Sequence, residues 1–223
     1  MRDSAFDQAM YQVRFEWGAA GLDRLAPADV VVVLDVLRFT TTVTVRAERS
    51  ETTPLHDAPS INGAPVAAAA ATVPGALVLA GSLRNADAVA EEILREQVRR
   101  DRRTSVAVIA AGEAIAPGDP RLRFAVEDQL GAGAIIDALI RRGIDHVSPE
   151  AMLTAESFRS LRGALRHLVS ASGSARHLRA RPEQYPDAET DIRLAAELDA
   201  STVVAELRCG VFTARALRDT PQR

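Results

Sequence analysis

The chain has 223 residues, 47% of them apolar and 4% aromatic, and a formal net charge of −3. That length suffices for one sizeable α/β domain with a core of Ala, Val, Leu and Ile. The mildly acidic balance gives no general attraction to nucleic acid or to an anionic membrane. Lysine is absent from the chain, so every fixed cation is arginine. Schiff-base and P-loop lysines are thereby excluded, and any phosphate or carboxylate must be held by Arg, backbone N–H groups or a metal. The single cysteine, Cys209, rules out an internal disulfide framework and fits a reducing compartment. The opening MRDSAFDQAMYQ lacks the apolar run of a signal peptide, and no segment approaches membrane-spanning length. The expectation is a soluble, cytoplasmic protein.

In chain order, Tyr11–Trp17 alternates with period two and predicts a strand. Val30–Leu34 is a continuous β-branched run, the pattern of a strand buried on both faces. It leads into Asp35, Arg38 and the threonines at 40, 41 and 42. Ser50–Ala64 reads as loop, with a turn at Asn62–Gly63. Ala76–Ala80 predicts a strand, followed by GSLRNA (Gly81–Ala86) and an amphipathic helix over Ala86–Arg100. Acids in that helix's first turns and arginines in its last suit the helix dipole, and the Arg95–Arg103 run reads as its solvated end. Val106–Ala110 predicts another strand. Helices follow over Val126–Arg142, closed by Gly143, and from Pro149 through Leu165. Asp187–Leu198 predicts the last helix, and Val203–Leu207 a weaker strand. The alternation indicates a single three-layer α/β domain over residues 1–223 with a largely parallel or mixed sheet.

Several polar groups fall at strand ends, where ligands gather in open α/β sheets. A carboxylate such as Asp35 needs a partner when buried, and Arg38 or a divalent metal would serve. Thr40, Thr41 and Thr42 are placed to cap the next helix, whose N–H groups favour an anion. On pattern alone, an Asp–Arg pair closing a strand end with ordinary threonine capping explains these residues slightly better. Ser82 and Asn85 cap the Ala86 helix or cradle a phosphate, and both readings stand. Glu127 and Asp128 open a helix. Should that turn face the edge that holds Asp35, the three carboxylates could bind Mg²⁺, a hard cation that prefers oxygen. The histidines at 56, 146, 167 and 177 show no metal spacing. The GAG at Gly131–Gly133 is a poor dinucleotide fingerprint. Cys209 and Arg215 have the spacing of a tyrosine-phosphatase loop, but the residues between them are mostly apolar. The haloacid-dehalogenase opening would want a second acid where Leu37 stands.

Taken in order, DVLRFTTTV, the NG turn, AGSLRNADAVA (Ala80–Ala90) and FAVEDQLGAGAIIDAL (Phe124–Leu139) resemble the 2-phosphosulfolactate phosphatase family. SASG (Ser170–Gly173) and DIRLAAELDAS (Asp191–Ser201) continue the resemblance. It implies an α/β fold of that family's own type and Mg²⁺-dependent hydrolysis of 2-phospho-3-sulfolactate to 3-sulfolactate and phosphate, a step towards coenzyme M. By position it implies Asp35, Arg38 and Asp128 as catalytic residues. Asp35, Glu127 and Asp128 would bind metal, and Thr40, Thr41, Asn62, Gly63, Ser82 and Asn85 would bind substrate. The partner is then a small anionic phosphorylated molecule, with neither nucleic acid nor membrane, and a homodimer is compatible. The chain departs from the family pattern in Thr44–Ile61, which is short by a strand–helix unit of on the order of 30 residues. It also carries Ala64 after the NG turn and Phe39 after the arginine. These departures keep open a second reading, a weakly active or inactive homologue that binds a small anionic metabolite or serves as an assembly subunit.

Overall fold

A computed structural model describes residues 4–57, 60–116, 119 and 121–215. Strand β1 (Val13–Trp17) leads directly into α1 (Gly18–Arg24). The valine run forms β2 (Val30–Leu34), buried along its whole length, and the threonine-rich stretch after it forms α2 (Phe39–Glu48). A short edge strand, β3 (Thr53–Pro54), and a 3₁₀ turn precede α3 (Gly63–Ala71). Next come β4 (Leu77–Gly81), α4 (Ala86–Arg100) and β5 (Val106–Ala110). A two-residue ladder, β6 (Glu113–Ala114) with β7 (Leu122–Arg123), leads to α5 (Val126–Arg141). Four helices follow: α6 (Pro149–Leu161), α7 (Leu165–Ala171), α8 (Gly173–Arg179) and α9 (Ala188–Ala195). The hairpin β8 (Ala205–Arg208) and β9 (Val211–Ala214) closes the described fold.

The main sheet has seven strands in the order β1-β5-β2-β4-β8-β9-β3. Its first four are parallel and its last three antiparallel. This is the mixed sheet of an α/β three-layer fold. The period-two alternation of strand side chains divides the core into two. Val30, Val32 and Leu34 face α4–α9, whereas Val31 and Val33 face α1–α3. Because β2 lies between β5 and β4, the residue after its last position emerges at the middle of the sheet edge. That residue is Asp35.

Several boundaries differ from the sequence-based expectation. The helix expected from Pro149 through Leu165 is broken by a 3₁₀ turn at Arg162–Ala164. The segment Ser50–Ala64 contains β3 and a 3₁₀ turn, and its end already belongs to α3; residues 58 and 59 lie outside the described ones. The α3 sequence GAPVAAAAA shows no strong apolar stripe, so periodicity did not mark it, although alanine is the best helix former. Arg95, Arg99 and Arg100 pair with Glu91, Glu92 and Glu96 along α4. Glu92 and Glu96 are buried, however, and Arg100 reaches Asp29 and the Gly75 carbonyl, so this helix end is partly packed against the fold and not simply solvated. Gly131 and Gly133 of the GAG are packing residues: a side chain on the first would meet Val36, and on the second the Thr154 carbonyl of α6.

Candidate active site

Asp35 follows the last residue of β2 and is buried. Its Oδ2 accepts hydrogen bonds from the Gly63 N–H at 2.8 Å and the Ser60 hydroxyl at 3.0 Å. Its Oδ1 has only a 3.4 Å contact from the Phe39 N–H, so it is the freer oxygen. The Asn–Gly turn is thus a structural partner of the catalytic candidate. Gly63 has to be glycine because a Cβ there would lie 2.7 Å from Oδ2 of Asp35. Burial pushes the Asp35 carboxyl up to about 6; the bonds from Ser60, Gly63 and Phe39 oppose the rise, and the charge of Glu113 adds to it.

Asp128, in the first turn of α5, ties two strand ends together. Its Oδ1 accepts from the Val36 N–H at 2.7 Å, just after β2, and its Oδ2 from the Gly112 N–H at 2.9 Å, just after β5. Burial raises its carboxyl well above the usual range, and the charges of Asp35 and Glu127 raise it further, against those two N–H bonds. Glu127 is also raised, first by burial and then by Glu113, while Ser174 and Ser172 hydrogen bonds act the other way. Asp35, Glu113, Glu127 and Asp128 therefore form a run of mutually repelling acids. Among the described residues none of the four is ion-paired to arginine or histidine.

A cavity of 180 Å³ opens beside Asp35. Arg38, Asn62, Glu113, His177 and Tyr185 are among the side chains that line it. The guanidinium of Arg38 donates to Asp191 Oδ2 at 2.9 Å and lies 5.1 Å from the centre of the Tyr185 ring. Asn62 accepts from the Ala114 N–H at 2.9 Å through Oδ1, which leaves its NH₂ group as the donor toward a ligand. Ser174 donates to Glu113 at 3.1 Å.

The structure does not bring every candidate to this cavity. The Thr40 and Thr41 hydroxyls donate to the backbone carbonyls of Asp35 and Val36, at 3.0 and 2.8 Å, and both side chains are buried. They brace the start of α2 and do not face a ligand. Ser82 and Asn85 are also fully buried. The Ser82 N–H and hydroxyl both donate to Asn85 Oδ1, and the Asn85 amide donates to Ala80 and Val203 carbonyls. They form a cap between the sheet and α4, and neither lines the cavity beside Asp35. Gly63 serves Asp35 and does not itself line the cavity.

The donor chemistry of these acids fits a hard, oxygen-seeking cation. Yet among the described residues no group of three or more His, Cys, Asp or Glu side chains converges as a ready ligand set. Asp35, Glu127 and Asp128 are neighbours in charge but do not form such a triad. The Cys209–Arg215 spacing has a structural origin. Cys209 and Gly210 have φ of 48° and 76° and make the two-residue turn of the β8–β9 hairpin. The thiol is exposed, and Arg215 is engaged by Glu92, Glu96 and Glu206.

A family model for 2-phosphosulpholactate phosphatase matches residues 59–210. The chain belongs to the 2-phosphosulpholactate phosphatase family. The match covers the turn that holds Asp35, the α5 acids, α8 and α9. It begins inside Thr44–Ile61, so the DVLR block stands ahead of it. No curated protein matches the chain significantly. The family implies a phosphatase. Among the described residues no helix is long and apolar enough to cross a membrane.

Residues that sequence reasoning did not select complete the site. Glu113 sits just beyond the end of β5, as Asp35 does at β2, and the strand-end rule would have found it. Ser60 lies inside the NG loop, and Asp191 inside the DIRLAAELDAS motif. Tyr185 carried no local signal.

Proposed function

We propose that the chain is a Mg²⁺-dependent phosphoric monoester hydrolase acting on a small anionic phosphomonoester, with 2-phospho-3-sulfolactate to 3-sulfolactate and phosphate as the reaction to test first. The observation that carries this reading is Asp35, raised to about 6, facing one cavity with Arg38 in a chain of this family. Arg38, held in place by Asp191 and Tyr185, binds phosphate oxygens and stabilises charge that develops on them. Asp35 orients the attacking water and takes its proton at Oδ1, while Oδ2 stays anchored to Gly63 and Ser60. Direct attack by Asp35 to give an aspartyl-phosphate is the competing route. The Asn62 amide adds a donor at the cavity wall.

Mg²⁺ is commonly held by one or two carboxylates, with water and substrate phosphate completing its shell. Asp35 with Asp128 or Glu127 is a donor set of that kind, and the mutual repulsion of these acids favours a cation among them. When bound, the ion neutralises phosphate charge and lowers the pKa of water. The test is release of phosphate from a panel of small phosphomonoesters, with Mg²⁺ and then with EDTA. Turnover that needs Mg²⁺ and is lost in Asp35→Asn is expected. The second reading, an inactive anion-binding homologue, draws on the lack of a converged acid triad; anion binding without turnover would establish it.

A further inference from the structure

The cavity does not end at the Asp35 pocket but runs along α2. Arg38, Thr42 and Arg46 all line it, and positions four apart stack on one helix face. With a rise of 1.5 Å per residue, the backbone of Arg46 lies about 12 Å along the axis from that of Arg38. Phe39, Val43, Pro54, Ile61 and Leu178 give the lining an apolar share, beside Thr42, Thr53 and Asn62. Asp57 also lines the cavity, but its carboxylate is 3.2 Å from His56.

At the far end, Nε of Arg46 is buried and has no hydrogen-bond partner among the described residues. The acid paired with it, Glu51, stands 3.4 Å away, beyond the roughly 2.7–2.9 Å of a charge-assisted bond. That nitrogen is shielded from the cavity, but the Arg46 side chain as a whole is 42% exposed, so its terminal nitrogens are open to an oxyanion there.

We propose that the cavity selects an elongated phosphomonoester: phosphate at Asp35 and Arg38, an apolar chain along α2, and a second oxyanion, carboxylate or sulfonate, on Arg46. This rests on the phosphatase reading for which end takes the phosphate. The apolar part of the lining gains by desolvating a hydrocarbon chain, and the arginine fork matches a terminal oxyanion. In 2-phospho-3-sulfolactate the anionic groups sit on neighbouring carbons, much closer together than the roughly 12 Å between the two arginine backbones.

The test is calorimetric binding of ω-carboxyalkyl phosphonates, which cannot be hydrolysed as esters, in lengths from shorter than the cavity to longer. Alkyl phosphonates of equal length without the carboxylate serve as reference. The expected result is an affinity maximum at chains spanning about 12 Å, at least tenfold tighter than the reference. Arg46→Met should remove that tenfold advantage, whereas Arg24→Met, on an exposed Glu16 pair outside the cavity, should keep it. Affinity that falls steadily from the shortest member, or an advantage retained in Arg46→Met, overturns the proposal. The matching phosphate esters separate the two readings. Esters hydrolysed with no length preference would leave the phosphatase reading standing and remove this one. Phosphonates bound with the predicted pattern, but esters left intact, would do the reverse.

Discussion

Replacing Gly63 by alanine puts one methyl group against the catalytic candidate. That methyl would lie 2.5 Å from Cδ1 of Phe39 and 2.7 Å from both Cβ and Oδ2 of Asp35. The Phe39 ring can shift, but the Asp35 Cβ is fixed to the backbone at the end of β2. The turn and the start of α3 must therefore move away, which lengthens the 2.8 Å bond from the Gly63 N–H to Oδ2. Overpacking of this kind costs about 1–3 kcal/mol, so the urea midpoint should fall accordingly. The second readout is electrostatic. A hydrogen bond to a charged group contributes roughly 1.5–3 kcal/mol, and weakening it raises Asp35 above its value of about 6. Losing even half of that bond moves the acid limb of the pH–rate profile upward by about half a unit or more. Gly163→Ala is the control, since nothing lies within 4 Å of a Cβ there; it should stay within about 0.5 kcal/mol of the parent. A Gly63→Ala protein with both an unchanged urea midpoint and an unchanged acid limb would refute the assigned role of this turn.

Asp35 acts as a base only when ionised, so kcat/KM should rise with pH through about 6. A flat profile from pH 5 to 8 would contradict this, as would Asp35→Asn retaining activity within about tenfold of the parent, since a positioned base contributes roughly 10²–10⁴-fold. Stability should respond with the opposite sign. Because the folded Asp35 holds its proton more tightly than the unfolded chain, its contribution is full below about pH 4 and is lost as pH rises to about 6. Chemical denaturation across that window should show a slope that becomes shallower in Asp35→Asn. Asp128→Ala leaves the Val36 and Gly112 N–H groups without an acceptor, so at about 1–3 kcal/mol each it should destabilise strongly by equilibrium unfolding. Cys209→Ser, on the exposed hairpin turn, should leave phosphate release unchanged; a large loss would revive cysteine chemistry.

The amino-acid sequence by itself determined the elements that depend on local pattern. Five apolar residues in a row at Val30–Leu34 can only be buried on both faces, and the structure buries all five. That burial puts Asp35 at a sheet edge. The acids at Glu127 and Asp128 had to open a helix, whose dipole favours them. The NG turn was legible for the same local reason. What the pattern could not say is where each polar atom points. The hydroxyls of Thr40 and Thr41 suit either a ligand or a backbone carbonyl, and only the angle at which α2 leaves β2 turns them to the backbone. Ser82 and Asn85 are sealed because the chain at Val203 packs over them. Arg38 finds its partner 153 residues away in Asp191, and Asp128 reaches back 92 residues to Val36. Hydrophobic periodicity acts over a turn of helix or a pair of strand residues, whereas a site is made by elements that meet only after the layers have packed.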